Sequence, residues 1–175
     1  MNQYVLEMKG ITKVFPGVVA LDNVSFSVKK GEVHALVGEN GAGKSTLMKI
    51  LNGVYQANHG QIILDGEPVS IDNVKDAQEK GISIIFQEFN LINTLTVAEN
   101  IFLGRYNHSR VINWKEVKAE AQQLLERLGF PLDVNRIVGK LSTAEKQLVE
   151  IAKALSFNAK IIVMDEPTSS LTKNE

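Results

Sequence analysis

The sequence predicts an α/β fold, in which β structure precedes a core strand, a glycine-rich turn and a helix, and a mostly helical region precedes a final strand. Two observations lead to this prediction. A mostly apolar run at residues 32–37 passes through the glycine-rich turn into residues 44–51, which have helical character. A second apolar run, at residues 161–164, ends in two acidic residues. Short apolar runs are typical of strands buried inside a sheet, so both runs are expected in the core.

Length and composition are those of an ordinary soluble globular protein. The 175 residues suit one domain, and 44% hydrophobic with 22% charged residues exclude collagen-like and disordered chains. The 19 lysines and arginines nearly balance the 20 aspartates and glutamates, so no basic excess indicates a nucleic-acid partner. The absence of cysteine excludes disulfides and thiolate metal sites. The longest apolar runs are far shorter than the roughly 20 residues of a membrane helix.

β-rich segments dominate the amino-terminal part of the chain, and turn signals separate them. Short alternating runs predict strands on either side of a Phe15-Pro16-Gly17 turn, and a later strand reaches a hairpin turn at Asp65-Gly66. The expected strands occupy residues 4–8, 24–28, 61–64 and 67–69. Asn52 and Gly53 are a plausible end for the helix over residues 44–51.

Helical spacing dominates the later part of the chain, after a β-rich run at residues 82–86. One predicted helix ends at Gly129, and its apolar face consists of Val117, Ala121, Leu124, Leu125 and Leu128. Ser142 and Glu145 have the spacing of a capping box, which marks the start of a second helix. The apolar face of that helix is expected at Leu148, Ile151, Ala152 and Leu155. We therefore expect residues 88–157 to form a mostly helical subdomain.

Residues 38–45 match the phosphate-loop pattern G-x-x-x-x-G-K-[ST]. Glycines allow the backbone to turn tightly and approach an anion, so loop N–H groups and the helix N-terminus converge on phosphate oxygens. Lys44 would reach the β- and γ-phosphates, and the Ser45 hydroxyl would bind Mg²⁺. The alternative is a glycine-rich strand-to-helix turn without a ligand, although chance gives this pattern in only about one chain in a hundred of this size.

Asp165 and Glu166 directly follow the apolar run at residues 161–164. An aspartate in this place can help to hold Mg²⁺, directly or through water, and the neighbouring glutamate can position an attacking water. Taken alone, the pair is more simply explained as a strand that ends in exposed acids. Because ligands of open α/β sheets bind at the carboxyl ends of strands, the pair together with the phosphate loop predicts a nucleotide site.

Together these motifs resemble the ATP-binding cassette (ABC) family of transport ATPases, which are P-loop NTPases, over essentially the whole chain. The matching segments are GENGAGKST at 38–46, Gln87 after a strand, LSTAE at 141–145, IIVMDE at 161–166 and SSLT at 169–172. The sequence is similar, more narrowly, to the amino-terminal cassette of bacterial monosaccharide importers, in which two cassettes share one chain. The resemblance implies an ABC-type core with an N-terminal antiparallel β subdomain and a helical insertion, so that residues 1–175 would be one partial ATP-binding domain.

The resemblance also implies roles for individual residues in binding and hydrolysing MgATP. Phe15 would stack on adenine, although without the resemblance a core phenylalanine beside a turn is the simpler interpretation. Catalytic roles would belong to Glu166, Gln87 and Lys44, and metal contacts to Ser45, Gln87 and Asp165. Nucleotide contacts would come from Phe15, Gly38, Glu39, Asn40, Gly41, Ala42, Gly43, Lys44, Ser45, Thr46 and Ser142.

The partners implied by the resemblance are a transmembrane permease subunit and a second ATP-binding cassette, in the same chain or in a dimer. A periplasmic or extracellular sugar-binding protein would be an indirect partner, and nucleic acid is not expected. The protein would be cytoplasmic and peripheral on the inner face of the membrane, held there by the permease. The alternatives are a non-transport ABC ATPase acting on DNA or ribosomes, a regulatory nucleotide-binding module with little hydrolysis and, more remotely, a small-molecule kinase.

Three features depart from the family pattern. Thr143 and Ala144 stand where glycines are usual in the signature motif, so we expect a weakened or asymmetric ATP site. Thr172 replaces the usual aspartate of the D-loop, which puts the role of that loop across the cassette interface in doubt. The sequence ends at Glu175, before the family's γ-phosphate histidine, so this chain is expected to bind nucleotide better than it hydrolyses it.

Overall fold

The computed structural model describes residues 3–86, 88–105 and 112–165. The chain divides between Ser83 and Ile84 into two compact units. Gln87, Glu166 and the D-loop segment at 169–172 lie outside the described residues, so their predicted roles remain predictions. None of the described helices is long and apolar enough to cross a lipid bilayer.

An antiparallel sheet of four strands, in the order β2-β1-β3-β4, forms the first unit. The strands are β1 (Tyr4–Phe15), β2 (Val18–Lys29), β3 (His59–Leu64) and β4 (Glu67–Val69). Both predicted turns are present. Gly17 has φ 80°, and Asp65 and Gly66 have φ 51° and 93°, the positive angles that a two-residue hairpin turn requires. β1 and β2 are longer than the predicted runs because each strand stabilises its neighbour along the whole hairpin, from Tyr4 opposite Lys29 to Phe15 opposite Val18.

Two helices accompany this sheet in the first unit. α1 (Lys44–Leu51) has the predicted bounds and buries Leu47, Ile50 and Leu51, while Asn52 caps its C-terminus. α2 (Val74–Glu79) begins at Asn73, whose side chain accepts a hydrogen bond from the backbone N–H of Asp76. Other apolar residues buried in this unit include Leu6, Met8, Ile11, Leu21, Ile62 and Ile63. α2 has no counterpart among the elements predicted from the sequence.

The strand predicted over Glu32–Val37 is not formed, and this prediction was wrong. Residues 32–39 have no regular secondary structure and are exposed, with Val33 99% and Val37 89% accessible to solvent. An apolar run becomes a buried strand only when neighbouring strands pair with its backbone N–H and C=O groups. Within the described residues the two sheets contain no strand from this segment; the Glu32 N–H donates instead to the carbonyl of Lys29 at 3.2 Å.

The second unit is mainly helical. β5 (Ile82–Ile85), whose last two residues belong to this unit, and β6 (Ile161–Met164) form a two-stranded sheet. The helices are α3 (Val97–Ile101), α4 (Trp114–Arg127) and α5 (Thr143–Ser156), with a 3₁₀ turn at Val138–Lys140. Apolar side chains from all three helices meet in one cluster, which includes Val97, Ile101, Val117, Leu125, Val149 and Ala152. Burial of this cluster, rather than helix propensity, holds the short helices together.

The apolar face predicted for α4 is buried, whereas most of the face predicted for α5 is only partly buried. In α4 the residues Val117, Ala121, Leu124 and Leu125 are buried, and Gly129 follows the helix with φ 70°, as predicted. In α5 the capping box is present, but Leu148, Ile151 and Leu155 are only partly buried. The residues buried along α5 are Gln147, Val149, Glu150, Ala152, Ala154 and Ser156. The buried face includes polar side chains, which a hydrophobic periodicity does not identify.

Candidate functional site

The predicted phosphate loop occupies the surface of the first unit immediately before α1. Gly41 and Gly43 have φ 85° and 84°, in the left-handed region that glycine adopts without strain. The backbone N–H of Ala42 donates to the carbonyl of Glu39 at 3.2 Å, which closes a turn between them. Gly43 is the N-cap of α1 and provides no side-chain hydrogen bond to the first helical N–H groups. An anion can therefore accept these hydrogen bonds at the exposed end of the helix.

Gly43 also fixes the loop against the β1–β2 hairpin. A methyl group at its Cα would lie 2.6 Å from the Ala20 carbonyl oxygen and 2.7 Å from Leu21 Cδ2. These distances are too short for non-bonded atoms, so only glycine allows this approach. The start of α1 is consequently held in contact with β2 in a fixed position.

Lys44 points back across the loop that precedes it. Its ammonium donates to the carbonyl oxygens of Gly38 and Glu39, at 2.7 and 2.9 Å. Residues 38–42 are exposed, as is Ser45, whereas Lys44 and Thr46 are partly buried. The charged group therefore lies at the loop, where the carbonyls orient it and a phosphate can reach it. Charge-assisted hydrogen bonds of this kind are the strong ones in phosphate recognition.

Phe15 lies at the end of β1, partly exposed, and packs against an aromatic residue that the sequence analysis missed. The rings of Phe15 and Tyr55 are 5.2 Å apart between centroids, at 75° to each other. The ammonium of Lys13 is 5.1 Å from the Phe15 centroid. Lys13 and Phe15 are two residues apart, the spacing of neighbours on one face of a regular strand, and their side chains meet although the pairing register of β1 shifts between Lys13 and Val14. No comparable signal identifies Tyr55.

Asp165 directly follows β6 and is partly buried. Its backbone N–H donates to the carbonyl of Ile85 at 3.0 Å, so the edge of the β5–β6 pair fixes the backbone of this residue. In the part of the chain that the structure describes, no group of three histidine, aspartate or glutamate side chains could hold a metal ion. The other predicted metal ligands are Ser45, which belongs to the first unit, and Gln87, which is outside the described residues.

The signature motif forms the start of α5, and its geometry follows the predicted capping box. Ser142 Oγ accepts from the Glu145 N–H at 3.2 Å, and Glu145 Oε2 accepts from the Ser142 N–H at 2.7 Å. Arg136, which the sequence analysis missed, pairs with the Glu145 carboxylate. The hydrogen bond from Arg136, and then the one from the Ser142 backbone, lower the pKa of Glu145. Thr143 is exposed and Ala144 is partly buried. The capping box forms around them, so the start of the helix is intact with these two residues in place of glycines.

Known proteins resemble this chain in both sequence and fold. The ABC transporter family model matches residues 21–169. The chain is 54% identical to the xylose import ATP-binding protein XylG of Geobacillus kaustophilus, an alignment that covers 100% of this chain and 35% of that protein. It is also 54% identical to the ribose import ATP-binding protein RbsA of Clostridium perfringens, with 97% and 34% covered. The chain thus spans about a third of the length of the curated relatives it matches.

A solved structure agrees with the fold as well. The ADP conformation of MJ1267, an ATP-binding cassette of an ABC transporter, has a TM-score of 0.85 and 32% identity, and the match covers 98% of this chain and 72% of MJ1267. This likeness confirms the predicted α/β fold of the ABC ATPase type. The phosphate loop, the capped signature helix and the family match over residues 21–169 lead to the same conclusion: the chain belongs to the ABC transporter family.

Proposed function

We propose that the protein is the nucleotide-binding subunit of an ATP-driven sugar importer, and that it binds and hydrolyses MgATP to power uptake through a membrane permease. The observation that carries the proposal is the phosphate loop at residues 38–45, with Lys44 on its carbonyls and the uncapped N-terminus of α1 beside it. The names of the relatives, which are sugar import ATP-binding proteins, support the transport role and the choice of a sugar.

In the proposed binding step, the phosphates take the place that the loop carbonyls hold at Lys44. The Lys44 ammonium then neutralises phosphate charge, while backbone N–H groups of the loop and of the first turn of α1 donate to phosphate oxygens. Phe15, partly exposed at the end of β1, offers a ring face on which adenine can stack. The contacts at Gly38, Glu39, Asn40, Gly41, Ala42, Gly43, Ser45, Thr46 and Ser142 belong to this proposal.

Oxygen ligands suit Mg²⁺, which prefers one or two protein ligands together with phosphate oxygens and water. Ser45 offers an exposed hydroxyl in the first turn of α1, and Asp165 a carboxylate at the end of β6. We include Gln87 in the metal contacts on the basis of the family resemblance. The bound ion would neutralise charge on the β- and γ-phosphates. Glu166 would position the attacking water as general base.

The proposed partners are the permease, a second ATP-binding cassette and, indirectly, a sugar-binding protein outside the membrane. The protein would lie at the cytoplasmic face of the membrane, attached through the permease. Residues 1–175 would act as a single ATP-binding domain in which residues 88–157 form the helical subdomain. All three partner roles follow from the import function that the relatives' names state.

Sugar uptake by cells tests the proposal directly. The gene is deleted in the organism that carries it, and uptake of radiolabelled xylose, ribose and galactose is measured. Loss of uptake of one sugar, restored by the wild-type gene and not by Lys44→Ala, is the expected result. Unchanged uptake of all three sugars contradicts the sugar-importer assignment. MgATP binding without turnover, together with normal uptake, would support the regulatory module instead.

A further inference from the structure

We propose that Tyr55 is a positioning residue for the base-binding ring of Phe15, and that it connects this ring to the helix of the phosphate loop. The inference deepens the proposed function, because it rests on Phe15 as the surface on which adenine stacks. The two rings are 5.2 Å apart at an interplanar angle of 75°, in an edge-to-face arrangement. Aromatic pairs in this geometry are favourable beyond the burial of their surface, so Tyr55 restricts the orientation of the Phe15 ring.

Tyr55 is itself held close to the end of α1. The N–H groups of Val54 and Tyr55 both donate to the carbonyl of Lys49 in the last turn of that helix, at 2.9 and 3.2 Å. The ammonium of Lys49 lies 5.7 Å from the Tyr55 ring centroid. Because α1 begins at Lys44, the helix that starts at the phosphate loop ends close to the ring that supports Phe15.

Hydrogen bonds also tie the segment around Tyr55 to the end of β1. Lys13 Nζ donates to the carbonyl of Gln56 at 2.7 Å. The N–H of Asn58 donates to the carbonyl of Thr12 at 2.8 Å, and Asn58 Oδ1 accepts from the N–H of Val14 at 2.8 Å. These bonds fix residues 54–58 against the strand that carries Phe15. The orientation of the two rings is therefore determined by backbone anchors and not only by contact between the side chains.

Lys13 has a second role in this cluster. Its ammonium lies 5.1 Å from the Phe15 centroid and 6.0 Å from the Tyr55 centroid, within the range of cation–π attraction. The same ammonium donates to Gln56, the residue after Tyr55. Lys13 thus contacts both rings and the backbone at Gln56, so it helps to hold residues 54–58 against β1.

Binding measurements with and without a base separate this role from general stability. Dissociation constants for MgATP and for magnesium tripolyphosphate, which has no base, are measured by calorimetry on the protein and on Tyr55→Leu. Loss of the ring is expected to weaken MgATP binding by about two- to tenfold, from the strength of an aromatic pair, and to leave tripolyphosphate binding unchanged. Tyr55→Phe, which keeps the ring, is expected to behave as the wild type with both ligands.

Phe15→Ala, measured in parallel, distinguishes failure of this inference from failure of the proposed function. If Phe15→Ala does not lower the ratio of ATP to tripolyphosphate affinity, Phe15 is not the base-binding surface. If Phe15→Ala lowers that ratio and Tyr55→Leu does not, the inference about Tyr55 is overturned by itself. Should Tyr55→Leu fail to fold, Tyr55→Met replaces it, because methionine keeps an apolar side chain and lacks the ring. An unchanged ratio in Tyr55→Met would overturn the inference equally.

Discussion

The backbone N–H of Asn90 donates a hydrogen bond of 2.6 Å to the carboxylate of Glu150, a residue 60 positions later in α5. Lys153 Nζ, one turn further along the helix, donates to the carbonyl of the same Asn90 at 2.8 Å. The two side chains therefore satisfy both backbone groups of one residue in the segment that follows Gln87. The hydrogen bond from Asn90 explains how Glu150, which is only 6% exposed, is accommodated on the buried face of α5.

The burial of Glu150 predicts a pH effect on stability. Burial raises the pKa of Glu150, although Lys153 and the Asn90 N–H partly oppose the rise. The folded state thus holds this proton more tightly than the unfolded state, and the free energy of unfolding falls as pH rises from the unfolded pKa through the raised folded pKa. Glu150→Gln keeps an oxygen for the Asn90 N–H and does not titrate. The free energy of unfolding of this variant is therefore expected to decrease less as pH rises.

Thermal unfolding at several pH values from roughly 4 to 8, a range that begins near the usual glutamate pKa, checks the prediction. Glu150→Gln is expected to be at least as stable as the wild type near neutral pH, because its neutral amide avoids the cost of a buried charge. Glu116→Gln, at an exposed position of α4, serves as the matched control. If Glu150→Gln is clearly less stable than the wild type at neutral pH, the attraction between Glu150 and Lys153 outweighs the cost of burying the charge.

Two glycines of the phosphate loop provide a matched pair of substitutions. Both have positive φ, but a methyl group at Gly41 meets no atom within 4 Å, whereas one at Gly43 overlaps the Ala20 carbonyl and Leu21. Gly41→Ala is expected to cost about 1–2 kcal/mol from the left-handed backbone alone. Gly43→Ala adds the steric overlap and is expected to cost at least about 1 kcal/mol more. Urea denaturation of both variants measures the difference, and equal losses would mean that β2 yields to the methyl group.

The charge of Lys44 is expected to dominate nucleotide affinity. Its ammonium donates to the loop carbonyls of Gly38 and Glu39, and in the proposed site it exchanges these neutral partners for charged phosphate oxygens. Lys44→Ala should weaken MgATP binding by about tenfold or more, the usual range for a lost hydrogen bond to a charged group. Lys75→Ala, at an exposed position in α2, is the control for loss of one positive charge. If calorimetric titration finds equal MgATP affinities in the two variants, Lys44 does not bind the phosphates.

The signature substitutions are expected to limit hydrolysis. Thr143 and Ala144 place Cβ atoms in the first turn of α5, and we expect these atoms to hinder close approach of this turn to a γ-phosphate on an opposing cassette. In the full transporter, Thr143→Gly combined with Ala144→Gly should raise the measured ATPase rate while lowering helix stability by about 1 kcal/mol per glycine at most. Ala119→Gly, at an exposed position of α4, should lower stability without a change in rate. An unchanged hydrolysis rate in the double variant would refute the idea.

Elements with local determinants were predictable from the sequence. α1, the two hairpin turns and the capping box at Ser142 depend on residues within one turn of each other, and the structure has all of them. The apolar face of α4 likewise follows from spacing alone. The prediction of a strand at residues 32–37 was wrong, because a strand forms only where other strands pair with it, and no local pattern identifies those partners.

Contacts between distant segments account for what the sequence analysis missed. Tyr55 reaches Phe15, and Asn90 reaches Glu150, only because the fold brings separate parts of the chain together. The buried face of α5 was misplaced for the same reason, since Glu150 is buried through a hydrogen bond to a residue far away in sequence. Arg136 is a milder case, nine positions from its partner Glu145 across the 3₁₀ turn. Charged residues of this kind have no hydrophobic signature.

In the proposed site, the position of Lys44 makes nucleotide binding an exchange of hydrogen-bond partners. Gly38 and Glu39 offer the ammonium two neutral oxygens, and an incoming phosphate offers it negatively charged ones. The affinity would therefore reflect the difference between two sets of hydrogen bonds, with the loop carbonyls as an internal competitor. A substitution that draws these carbonyls away from Lys44 would tighten phosphate binding without touching the phosphate, which gives this loop a means of tuning affinity that its sequence motif does not reveal.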